Sequence, residues 1–166
     1  ATRLDFKSYS VEVDAEATRR AYEVLPRTDE ACTCSGCRNF SLAIGDALGE
    51  GGRRFFEELG VDPAKPTEAC VDDALGGADG TLLYGAWYRL CGRIERRFEL
   101  PPGTTGREWR DAMARDVGDA NVSFSEHVIG GKAGFGGGAI VQMDISARVP
   151  WVLDEPNTYL DTYLDE

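Results

Sequence analysis

Thr81-Leu82-Leu83-Tyr84-Gly85-Ala86-Trp87-Tyr88-Arg89-Leu90-Cys91-Gly92-Arg93-Ile94 is the stretch that decides the fold. Leu82, Tyr84, Ala86, Tyr88, Leu90 and Ile94 fall on one side of an extended chain, and Trp87, Arg89, Cys91 and Arg93 on the other. Successive side chains of a strand point to opposite faces, so a period of two over this length specifies a long strand. Residues 68–75 read as a second strand, joined to the first by a turn at Gly76-Gly77-Ala78-Asp79-Gly80, which makes the two an antiparallel pair. The last third repeats the pattern: 122–129 is one arm, 130–138 a glycine-rich loop and 139–149 the other arm. Val141, Met143, Ile145, Ala147 and Val149 stand opposite Gln142, Asp144, Ser146 and Arg148, the alternation of a sheet covered on one side.

Outward from these hairpins, residues 4–13 read as a strand whose phase changes near Ser8, the mark of a bulge. Asp14 caps a short helix to Val24 that presents Ala17, Ala21 and Val24, and Pro26 stops it. A polar loop, 27–31, leads to a helix over 37–48 with Phe40, Ala43, Ile44, Ala47 and Leu48 at helical spacing. Gly49, Gly51 and Gly52 end that helix, and a shorter one over 53–59 shows Phe55, Phe56 and Leu59 before Gly60 caps it. Thr105 and Glu108 have the spacing of a capping box, with Trp109, Ala112, Met113 and Val117 as the stripe that follows. Strands in hairpins and helices in a block give an α+β fold: an antiparallel sheet with helices packed on one face. The expected organisation is one domain over 1–153, with Trp151, Val152 and Leu153 docked after Pro150, and an acidic tail over 154–166 that repeats Tyr-Leu-Asp at 159–161 and 163–165.

A chain of 166 residues can bury a substantial core. Eighteen basic against 29 acidic residues leave a formal charge of −11, which excludes a dominant contact with a nucleic-acid backbone and disfavours anionic membranes. No apolar run reaches transmembrane length and no basic-then-apolar signal segment opens the sequence. The five cysteines are clustered rather than spread as a disulfide framework, so reduced thiols in a cytoplasmic setting are expected.

Chemistry concentrates in Cys32-Thr33-Cys34-Ser35-Gly36-Cys37, just ahead of a helix. Zinc prefers four ligands at tetrahedral corners, and Cys34 and Cys37 have the spacing of one zinc knuckle. Cys32 supplies a third thiolate and Cys91, from the central strand, the fourth; Cys70 and His127 are the other candidates. The spacing of a ferredoxin cluster is absent. A redox reading makes Cys34 and Cys37 a dithiol whose first thiol is activated by the helix N-terminus, with Cys32 as resolving thiol. Thioredoxin-like enzymes place that motif after a strand, whereas a polar loop precedes it here. In the plainest reading the cysteines are small buried hydrophobes, which suits Cys70 and Cys91 in their strands.

Other motifs fall away. The glycines from Gly130 to Gly138 surround Lys132 without the Ser or Thr of a phosphate loop, and no helix follows. His127 lacks a nucleophile beside it, Asp72-Asp73 and Asp154-Glu155 read as solvated charge, and Arg93, Arg96 and Arg97 as partners for nearby carboxylates.

Cys32-x-Cys34-x-x-Cys37-x-Asn39-Phe40, the strand around Tyr84-Gly85-Ala86-Trp87, and Pro150-Trp151-Val152-Leu153 together resemble a group of small bacterial proteins without an assigned activity. The resemblance implies a bacterial cytoplasmic origin and brings no functional residues with it. The expected function is that of a non-catalytic binding protein whose cysteines are structural or hold zinc. The alternatives are a thiol redox protein using Cys34 and Cys37, and an acidic protein that engages a basic partner.

Overall fold

The computed structural model describes residues 1–73 and 80–160. Among these residues seven antiparallel strands form one curled sheet: β1 (Thr2–Asp5), β2 (Tyr9–Val13), β3 (Glu68–Asp73), β4 (Thr81–Arg96), β5 (Ala114–Val117), β6 (Ala120–Ser125) and β7 (Ile140–Pro150). Five helices accompany them among the described residues: α1 (Ala15–Val24), α2 (Thr28–Ala31), α3 (Ser35–Ala47), α4 (Gly49–Leu59) and α5 (Gly106–Met113). The α+β architecture expected from the hairpins is the one observed. Of the turn expected at Gly76-Gly77-Ala78-Asp79-Gly80, all but Gly80 lies outside the described residues, as do Leu75 and the second Tyr-Leu-Asp.

β4 organises the sheet. Along one edge it pairs with β7 from Thr81 opposite Pro150 to Cys91 opposite Ile140, and β6 and β5 follow. Its other edge is shared. β3 takes the first half, with Glu68 opposite Trp87, and β2 the last, with Tyr9 opposite Arg96 and Val13 opposite Gly92. Helix α1 fills the space between them. The Tyr22 hydroxyl donates to the Arg89 carbonyl at 2.9 Å, Cys91 N–H donates to Thr18 Oγ1 at 3.0 Å, and Asp14 N–H donates to the Cys91 carbonyl at 2.9 Å.

Leu82, Tyr84, Ala86, Tyr88 and Leu90 of β4 and Val141 through Val149 at alternate positions of β7 are buried, as their periodicity requires. The helices cover this face. Phe40 and Ile44 of α3, Leu48 after it, and Phe56 and Leu59 of α4 are buried against the sheet, with the Phe40 ring 5.3 Å from Tyr84 and the Phe56 ring 5.1 Å from Tyr88. Burying one such side chain contributes about 1.5–3 kcal/mol. The curl brings the β2 end of the sheet to its far side, where Tyr9 donates to the Met113 carbonyl at 2.7 Å and accepts from Phe124 N–H at 2.9 Å.

Four expectations are corrected. Residues 4–13 are not one bulged strand but a hairpin, reversed at Phe6-Lys7-Ser8, so the phase change is a turn. The 27–31 loop contains helix α2, closed by the Glu30 carboxylate accepting from Arg27 N–H at 3.2 Å. Gly49, Gly51 and Gly52 do not merely end α3; they open α4, where Gly49 has φ +74° and a Cβ at Gly52 would lie 2.9 Å from that of Leu48. Val117 belongs to β5, not to the stripe of α5, and Trp109 and Val24 face solvent.

Candidate metal centre

The three cysteines meet where α2 hands over to α3. Cys32 closes α2 in an extended conformation, its N–H donating to the Thr28 carbonyl at 2.9 Å. Cys34 is the N-cap of α3, and its sulfur accepts from Cys37 N–H at 3.5 Å, the part usually played by Ser or Asp. Cys37 lies one turn in, on the side facing the cap. Asp29 fixes the two helices together by accepting from Ser41 Oγ at 3.1 Å while paired with Arg27 at 2.7 Å, and Arg38 Nε donates to the Thr33 carbonyl at 3.0 Å across the loop.

As a result the three sulfurs lie within 4.8 Å of one another, and Cys32 Sγ donates to Cys34 Sγ at 3.3 Å. A zinc ion with Zn–S bonds of about 2.3 Å at tetrahedral corners spaces its sulfurs about 3.8 Å apart. The trio is close enough together to hold a metal ion. All three thiols are free, with Cys32 and Cys34 exposed and Cys37 buried. Hydrogen bonds, first from the Cys34 backbone and then from the thiols of Cys34 and Cys37, hold the Cys32 thiol below its usual range. Burial, followed by hydrogen bonding to the other two thiols, pushes Cys37 up to about 12.

Cys91 does not join them. It lies under the 126–139 loop, where its sulfur donates to the Phe135 carbonyl at 3.6 Å, and the three-sulfur group excludes it. The fourth ligand expected from the central strand is therefore corrected: β4 turns this residue toward α1 and the loop. Cys70 pairs in register with Gly85, next to inward-facing Tyr84, and so occupies the opposite face of the sheet, where it donates to Asp72 Oδ1 at 3.1 Å. His127 is exposed beyond β6. The arginine cluster is spent on carboxylates, Arg93 on Glu12 at 2.9 Å, Arg96 on Glu126 at 3.5 Å and Arg97 on Asp5 at 2.7 Å. Arg89 donates to the Gly130 and Gly131 carbonyls at 3.1 Å each, so those glycines form a pinned loop.

Residues outside the thiol motif complete the surroundings. Tyr84 donates to the Gly36 carbonyl at 2.9 Å, and the fully buried Asn39 donates to the Pro150 carbonyl at 3.0 Å while accepting from Val152 N–H at 2.7 Å. Only the Asn39-Phe40 pair following Cys37 hinted at this in the sequence. No protein-family model, curated protein or solved structure matches this chain, and the centre is therefore interpreted from its own geometry.

Proposed function

We propose that this is a non-catalytic, cytoplasmic zinc-binding protein in which the thiolates of Cys32, Cys34 and Cys37 hold the ion. The observation that carries the reading is the convergence of three free sulfurs within 4.8 Å of one another at the start of α3. Among the described residues no fourth Cys, His, Asp or Glu joins the group, so one coordination position is left for water or an incoming donor. Binding must displace the proton that Cys37 holds tightly, so affinity rises with pH.

Metal analysis of protein purified without added zinc tests this, together with cobalt substitution, whose thiolate-to-metal absorption scales with the number of sulfurs bound. Near-stoichiometric metal, lost in Cys34→Ser and Cys37→Ser, is expected. Metal-free protein that takes up neither zinc nor cobalt would sink the proposal.

A thiol redox reading has one observation in its favour, and that observation moves it to a different pair. Cys32 and Cys34 are both exposed with sulfurs 3.3 Å apart, and Cys32 carries the lowered thiol, whereas Cys37 is buried and holds its proton. Peptide mapping after mild oxidation should then find a Cys32–Cys34 bridge in metal-free protein.

A further inference from the structure

The N-terminal part of α3 is engaged at Gly36, Arg38 and Asn39 by the end of β7 and the chain that follows it. Asn39 accepts from Val152 N–H and donates to the Pro150 carbonyl. Arg38 pairs with Glu155 at 2.6 Å, and Trp151 Nε1 donates to the Glu155 carbonyl at 2.8 Å, closing the segment on itself. The chain then returns through Asn157, whose Oδ1 accepts from Tyr159 N–H at 3.2 Å. The Tyr159 ring lies 6.2 Å from that of Trp151, and it lies over Gly36. A Cβ at Gly36 would sit 2.5 Å from the Tyr159 hydroxyl and 3.1 Å from its Cζ, so the missing side chain is what admits the ring.

Gly36 lies between Cys34 and Cys37, and Arg38 and Asn39 directly follow them. Three contacts of different kinds (an ion pair, a two-way amide link and a ring on a glycine) therefore converge on the thiol centre from one segment. We propose that residues 151–160 form a strap across the Gly36 side of the thiol centre, with the Tyr159 ring as the positioning group that holds the turn from Cys34 to Cys37 in shape around a bound zinc ion and so slows its release. This rests on the zinc reading above. The strap does not supply a ligand. Cys32 and Cys34 stay exposed beside it, so the strap acts by resisting separation of the thiolates, and release speeds up when it lifts.

The test is stopped-flow transfer of zinc from the loaded full-length protein to a chromophoric chelator. Tyr159→Ala removes the ring, and Gly36→Ala displaces it while leaving every strap residue intact. Both should retain one zinc per chain and release it at least about tenfold faster, corresponding to about 1.4 kcal/mol of strap closure. Tyr159→Phe, which keeps the ring, should release zinc at a rate close to that of the unaltered protein. Loaded variants whose release rates match the parent overturn the strap alone, as does a Tyr159→Phe rate equal to that of Tyr159→Ala. A parent protein that holds no zinc overturns the strap together with the zinc reading.

Discussion

Replacing Asn39 by Ala is the most informative single perturbation of this fold. The side chain is fully buried and joins three elements through bonds of 2.7 Å to Val152 N–H, 3.0 Å to the Pro150 carbonyl and 3.4 Å to the Tyr84 hydroxyl. The two shorter bonds contribute about 1 kcal/mol each, and the third, at the limit of hydrogen-bond length, contributes less. The space left by the amide adds about 1 kcal/mol, for a total of about 3 kcal/mol. In a chain of this size that lowers the unfolding midpoint by about 6–12 °C. Thermal unfolding of metal-free protein, followed by near-ultraviolet circular dichroism, reads the shift directly. Asn39→Asp sharpens the test. It keeps the acceptor for Val152 but loses the donor to Pro150 and buries a carboxylate, whose pKa burial would raise. Protonation at low pH restores a donor and removes the charge, so its deficit relative to the parent should shrink as pH falls. A midpoint change below about 2 °C for Asn39→Ala, or an Asn39→Asp deficit that grows with acid, would refute the role given to this residue.

Gly118 has φ +58°, and a Cβ there would strike Gly52 N and the Leu48 carbonyl, so Gly118→Ala should cost about 2 kcal/mol or more, whereas Gly137→Ala, with open space around it, should fall within about 0.5 kcal/mol. Chemical denaturation distinguishes the two. In metal-free protein, iodoacetamide at neutral pH should modify Cys32, exposed and with a lowered thiol, well before Cys37, buried and raised to about 12; peptide mapping that finds equal rates would contradict the geometry. Cys37 holds its proton more tightly folded than unfolded, so stability should fall as pH climbs from 9 toward 12, where only the unfolded thiol has ionised. Denaturation midpoints across that range should decline less steeply in Cys37→Ser.

The sheet was legible because its signal is local and repetitive. Alternation at 82–90 and 141–149 placed β4 and β7 with the correct faces inward, and the caps at Asp14, Gly60 and Thr105 act as their residue types demand. What escaped depends on distant partners. The β1–β2 reversal contains no Gly, Pro or Asn; it is held by Arg97 donating to the carbonyls of Phe6 and Tyr9 and by Ser8 Oγ donating to the Ala112 carbonyl at 2.8 Å. Glycines that read as a helix stop begin α4 instead, because close approach to the β5–β6 turn outweighs their poor helix propensity. In the thiol centre, the spacing of Cys32, Cys34 and Cys37 anticipated their convergence. Cys91 was misassigned because period two states which face a residue occupies, not what lies above that face. The docking of Tyr159 onto Gly36 has no local signal at all.

The shared edge of β4 has a consequence for how the protein behaves in company. Between its two partner strands the backbone of Arg89 and Cys91 is satisfied by the hydroxyls of Tyr22 and Thr18 and the N–H of Asp14, so a helix stands in for a missing strand. Lifting α1 would uncover backbone groups able to pair with a strand of another molecule. Tyr22→Phe combined with Thr18→Val should therefore promote concentration-dependent oligomers before it abolishes the fold.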